Sequence, residues 1–254
     1  MRDFNVDGVV VGRPYQEVHE QSATQESPIG SIHERHGRRW RYCKAGASTF
    51  LFAHRGHPNM NIIPGDTGGS TYGVEGNLYE AAIAGADNVL VTTTTAFTLD
   101  FFTGGLFVVF STGLNPDLFC LRVSGNDVGN GTYVKVYLDE RLPVAVTVAF
   151  GVNLHPSPYG NIGTSQQAAG GAQVVCVPSI KATANYYFWG QTKGPCWVTP
   201  TTWSGNAGHL YVFNGSDGCL IPDTGANPSL QLAGHVLARN VTDYGDGIIQ
   251  LMLE

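Results

Sequence analysis

Apolar and polar positions alternate at 119–123, where Phe119, Leu121 and Val123 are interleaved with Cys120 and Arg122. The same period recurs at 134–139, with Val134, Val136 and Leu138 set against Lys135, Tyr137 and Asp139. A period of two sends successive side chains to opposite faces, so each segment reads as a strand with one face on a core. Residues 89–95 and 106–110 are continuous apolar or β-branched runs, as expected of strands covered on both faces. Further runs lie at 144–149, 174–177, 186–189, 210–213, 232–238 and 248–253, most of them separated by Gly, Pro, Asn or Asp. Near the start, 30–34 and 39–43 flank His36-Gly37, which is a hairpin signal. The one helix expected is short, over 78–84, with Gly85 as its stop. Because no long helical pattern separates the strands, the chain is expected to be mainly β. The expected body is an antiparallel sandwich or barrel of one or two β domains, with an extended N-terminal arm and at most one short helix.

The arm is residues 1–28, polar apart from Val9, Val10 and Val11, with Tyr15 as its aromatic. Alone, such a segment should be mobile, and contact with a neighbouring chain would order it. A small, uncharged connector at 160–171 suggests a boundary, giving one β domain at 29–160 and a second at 161–254. No internal repeat of fixed period is present.

Composition narrows the function classes. Charged residues make up 13% of the chain, below the roughly 25% of ordinary soluble domains, and 33 of 254 residues are glycine, consistent with many turns. A net charge of -6 argues against a nucleic-acid partner, which needs a basic face to displace counterions. The sequence contains neither an 18-residue apolar span nor an apolar leader core at its start, so it reads as a protein made and kept soluble, with no membrane partner. The five cysteines lack CxxC spacing and read as small buried hydrophobes in a reducing cytoplasm.

Several motifs invite a catalytic reading. Gly65-Asp66-Thr67-Gly68-Gly69-Ser70 is one residue from the GDSGG of chymotrypsin-like proteases, but Thr67 replaces the serine and His54 lies too near in sequence to be the base. Asp66-Thr67-Gly68 and Asp223-Thr224-Gly225 match the paired triplets of aspartic proteases, in which two carboxylates share a proton. Both triplets follow Pro or Pro-Gly, a context for turns rather than catalytic strand ends. His33-x-x-His36 and His54-x-x-His57 have no third ligand at a recognised metal spacing. No catalytic residue, metal or cofactor is therefore expected.

Five of the fourteen Lys and Arg fall within ten residues: Arg35, Arg38, Arg39, Arg41 and Lys44. They read either as a solvated hairpin face or as a dock for an acidic neighbour, such as the arm of another copy. Tyr186-Tyr187-Phe188-Trp189, Trp197 and Trp203 read chiefly as core. If exposed together, they would mark an interface or a sugar platform. The residues expected at protein interfaces are Val9, Val10, Val11, Tyr15, Arg35, Arg38, Arg39, Arg41 and Trp203.

Five segments, in order, carry a resemblance: GRRWRYCKAGAS (37–48), AIAGADNVLVTTTTAFTLDFFTGGLFVVF (82–110), VYLDERLPVAVT (136–147), NLHPSPYGNI (153–162) and ANYYFWGQTKGPCWV (184–198). Together they resemble virion structural proteins of tailed bacteriophages, of the capsid decoration or cement type. The resemblance implies a non-enzymatic homotrimer on the exterior of a viral capsid, synthesised in the host cytoplasm, with the major capsid protein and its own copies as partners. The alternative is a receptor- or glycan-binding tail or fibre component using Trp189, Trp197 and Trp203.

Overall fold

The structure is a computed structural model that describes residues 9–10, 16–47, 50–60, 73–110, 119–164, 173–201, 209–225, 230–238 and 247–254. The first strands are β1 (Val9–Val10), β2 (Gln21–Ser22), β3 (Ile32–Arg35), β4 (Arg38–Lys44), β5 (Phe50–Leu51) and β6 (His57–Pro58). Then come β7 (Val74–Asn77), β8 (Asn88–Thr92), β9 (Leu106–Phe110), β10 (Phe119–Asn126), β11 (Tyr133–Leu138) and β12 (Gly151–His155). The last seven are β13 (Val174–Pro178), β14 (Ala182–Thr183), β15 (Tyr187–Trp197), β16 (Leu210–Phe213), β17 (Leu220–Pro222), β18 (Leu232–Ala238) and β19 (Ile248–Met252). The fold is all-β and antiparallel in nearly every pairing, as the alternation predicts, and the described residues contain no helix.

The chain forms two compact units: residues 61–158, and residues 1–60 together with 159–254. Strands of the first sixty residues therefore share a unit with the C-terminal strands and not with the residues that follow them.

In the unit 61–158, six strands run in the order β7-β12-β9-β10-β11-β8. β10 pairs with β9 through its first half and, after an irregularity between Val123 and Gly125, with β11 through its second. The path then returns to its start. Leu78, just past β7, bridges Val91 of β8, and the Tyr79 amide donates to the Leu90 carbonyl at 2.8 Å. This ring has an apolar interior of alternate residues, among them Val91, Phe107, Val109, Val123, Val134, Val136, Val152 and Leu154. Every one of those eight is fully buried, the outcome that period-two alternation requires.

The other unit is organised on β15, at eleven residues its longest strand. β4 pairs with β15 from Tyr187 to Lys193, while β2, β13 and β19 pair with it in succession from Tyr187 to Trp197. One strand thereby gathers chain segments from both ends of the sequence. Gly190 allows this crossing, since a Cβ there would stand 2.6 Å from Cys176 Cβ and 3.3 Å from Cys43 Sγ. Around it, Trp40, Tyr42 and Trp189 form a buried aromatic cluster, with the His33 ring tilted against both tryptophans at 5.5 and 5.7 Å.

The expected helix over 78–84 is not formed. That segment is held instead by the Leu78–Val91 and Ala82–Val146 bridges, because one or two turns cannot offset the cost of helix nucleation against strand partners already in place. The run at 144–149 likewise contributes only the single bridge at Val146.

Candidate functional site

The β3–β4 hairpin turns at His36 and Gly37, whose φ values of 52° and 73° are those of a two-residue type I′ turn. The turn registers Arg35 opposite Arg38 and Glu34 opposite Arg39. With Lys193 of β15, these residues line an open groove of about 600 Å³.

Three of the arginines are held by named partners. Arg38 Nη2 and Nε donate to Gln191 Oε1 at 2.6 and 3.2 Å, and its guanidinium lies 4.7 Å from the Trp40 ring. Gln191 is fully buried and cannot swing away, because its Nε2 donates to the Lys193 and Pro195 carbonyls at 3.0 and 2.9 Å. Arg39 bridges Glu34 and Glu254 at 2.5 and 3.1 Å. Arg41 Nε meets Glu254 Oε1 at 2.6 Å, and its Nη1 donates to the Gly30 carbonyl at 3.0 Å. Tyr159 Oη donates to the same Glu254 oxygen at 2.7 Å.

Burial disfavours the charged form of Glu254, but hydrogen bonds from Arg41, Tyr159 and Arg39 outweigh it and hold the carboxyl below its ordinary value. Arg39 is pushed up chiefly by its bond to Glu34. Among the described residues, Arg35, Arg38 and Lys193 form no ion pair, and Arg35 and Lys193 are exposed. The groove and its surroundings thus hold a neutralised set, Arg39 and Arg41, and a cationic rim of Arg35, Arg38 and Lys193, of which Arg38 is turned toward buried Gln191.

The face of β15 and β19 that carries Lys193 also carries Pro195, Gln250 and three large apolar side chains. Lys193 pairs with Met252 and Trp197 with Ile248, and those last three side chains are 39–50% exposed. The Trp197 ring also lies against His54, tilted, at 4.1 Å.

Of the other residues expected at interfaces, Val9 and Val10 form β1, parallel to Ile32 and His33 of their own chain. Val11, Tyr15 and Trp203 lie outside the described residues, as do Asp66 and Thr67. Trp189 and Phe188 are fully buried, so Trp189 cannot belong to an exposed platform. Asp223 is exposed, and its Oδ1 accepts from the Gly225 amide at 2.9 Å, with Gly225 at φ 71°, which makes the triplet an Asx turn. His57 is fully buried, with its two ring nitrogens 3.0 and 2.8 Å from the Gly163 and Phe52 carbonyls. No group of three or more His, Cys, Asp or Glu suited to a metal occurs among the described residues. No helix there is long and apolar enough to cross a membrane.

Gln191, Lys193, Tyr159 and Glu254 are the site residues that sequence reasoning missed. They join the hairpin through sheet pairing and ion pairs across 95 to 215 positions of sequence, and no local signal marks them.

Comparison of the chain with protein-family models, curated proteins and solved structures returns no match.

Proposed function

We propose that this chain is a non-enzymatic virion structural protein that binds a capsid surface and cements neighbouring capsomers, as a homotrimer on the capsid exterior. The observation that carries the reading is the surface of the unit built on β15. It sets Lys193, which lines a cationic groove with Arg35 and Arg38, on one face with the exposed apolar side chains of Met252, Ile248 and Trp197. An apolar centre with a polar, charge-bearing rim is the anatomy of a protein interface, and Arg38 loses little freedom on binding because Gln191 already holds it. The ordered segments from 37 to 198 that resemble phage decoration proteins supply the kind of partner.

The test is co-sedimentation of the purified chain with capsids assembled from the major capsid protein of the same genome. Saturable, stoichiometric binding is expected, and a chain that stays in the supernatant at micromolar concentration overturns the proposal. A glycan-binding tail component is the second reading, favoured by the part-exposed Trp197 ring packed against His54. It predicts glycan-array binding that disappears in Trp197→Ala.

A further inference from the structure

The two units divide the chain's charge unequally. Residues 61–158 contain nine Asp and Glu against three Lys and Arg, whereas the rest of the chain contains eleven of each, so the whole net charge of -6 resides in 61–158. One tip of that unit pairs the negative charge with an apolar knob. The Ala82 and Val146 amides each donate to the other's carbonyl at 2.8 Å, and the Gly85 amide donates to the Leu142 carbonyl at 2.8 Å. Between these bonds, Ile83 and Val144 stand 77% and 39% exposed.

Exposed carboxylates surround the knob. The Leu138 amide donates to the Asp87 carbonyl at 2.8 Å, which places Asp87 beside Asp139 and Glu140, and Glu80 precedes the knob on its own segment. Arg141 and Arg122, the latter 3.3 Å from Asp139, leave the tip with an excess of negative charge.

We infer that the cationic groove of one copy, at Arg35, Arg38 and Lys193, takes the acidic tip around Ile83 of a second copy. The surfaces match twice over. The rim cations of the groove face the carboxylates of Glu80, Asp87 and Glu140, and Met252, Ile248 and Trp197 beside the groove receive Ile83 and Val144. Those three receiving residues leave on the order of 250 Å² in the open at roughly 200 Å² per large side chain. That is a substantial part of the roughly 800 Å² per partner of a stable interface. Two different patches in contact make a heterologous interface, which generates a ring when the rotation closes. The inference deepens the homotrimer of the proposed function by naming its surfaces.

Sedimentation velocity of the full chain is the experiment, at about 0.05 M and about 0.5 M salt, between which the screening length falls severalfold. Wild type is expected to associate at low salt and to dissociate at high salt. Arg35→Glu with Lys193→Glu, or Glu80→Lys with Glu140→Lys, should each weaken association at least about tenfold. All four reversals in one chain should restore it, and Ile83→Asp should abolish it. A wild type that is monomeric at all concentrations, association unmoved by either reversal, or a fourfold variant no better than the pairs would overturn the inference. Capsid co-sedimentation of the same variants separates the two proposals: binding by chains that never self-associate removes only this inference, and self-association without capsid binding removes only the cement reading.

Discussion

Replacing Gln191 with leucine removes the side chain that fixes Arg38 while keeping nearly the same volume in a fully buried position. Two good hydrogen bonds from Nε2 to the Lys193 and Pro195 carbonyls are lost, along with the charge-assisted bonds from Arg38 to Oε1. Neutral bonds contribute about 1 kcal/mol each and a charged one about 1.5–3 kcal/mol. The expected loss for Gln191→Leu is therefore about 3–5 kcal/mol, close to the whole stability of many domains. All four tryptophans belong to the unit built on β15, so fluorescence-monitored urea unfolding reports that unit separately from residues 61–158. A double-mutant cycle with Arg38→Met isolates the shared bond and should give a coupling of about 1.5–3 kcal/mol. A loss under about 1 kcal/mol, or an additive cycle, would show that Gln191 does not anchor the hairpin and that the rim is not pre-organised.

Two titrations occupy separate pH windows. Burial lowers the His57 pKa from 6.5, so its contribution to stability is present above that value and is lost as pH falls below it; His57→Asn should flatten a stability profile followed from about pH 7 to about pH 5. Glu254, whose carboxyl is held below its ordinary 4.5, contributes above that value and loses the contribution in stronger acid. Glu254→Gln should thus cost about 2 kcal/mol in neutral denaturant titrations and little near pH 3; an equal cost at both pH values would refute the ion-pair account. Gly190→Ala places a methyl 2.6 Å from Cys176 Cβ and should lower stability by about 1–3 kcal/mol, whereas an unchanged denaturation midpoint would mean that the strands there are not packed so closely. In native thiol labelling, exposed Cys120 should react at once, and Cys43, Cys176, Cys196 and Cys219 should react only on unfolding. Burial pushes the last two thiols up to about 12 and about 11, and a second fast thiol would contradict their burial.

How far the sequence announces this fold depends on the reach of each interaction. Alternation at 119–123 and 134–139 is local, and both segments are strands with the expected faces buried. The His36-Gly37 hairpin and the turn at Asp223 are equally local, written in residues that tolerate positive φ. The course of β15 is different. Gly190, Gly194 and Pro195 suggest turns after Trp189, yet the strand continues to Trp197 because the small residues make room for Cys176 and for the hairpin backbone. The nesting of 61–158 within the other unit has no local signature, since the joining pairs, such as Gln191 with Trp40, are far apart in sequence. The arginine cluster is visible in composition, but its division into members with and without a carboxylate partner depends on Glu254, which is 213 positions from Arg41.

The chain leaves and re-enters the unit built on β15 at one place. Asn59 bridges Ile162, and the Met60 amide donates to the Asn161 carbonyl at 2.9 Å. Residues 61–158 therefore behave as a cassette: a gene that replaced them with a short turn would preserve every strand pairing of the host unit. The acidic tip around Ile83 and the arginines of the hairpin are thus separable in inheritance. A lineage could exchange the acidic cassette, and with it the chain's net negative charge, without redesigning the sheet that holds the arginines.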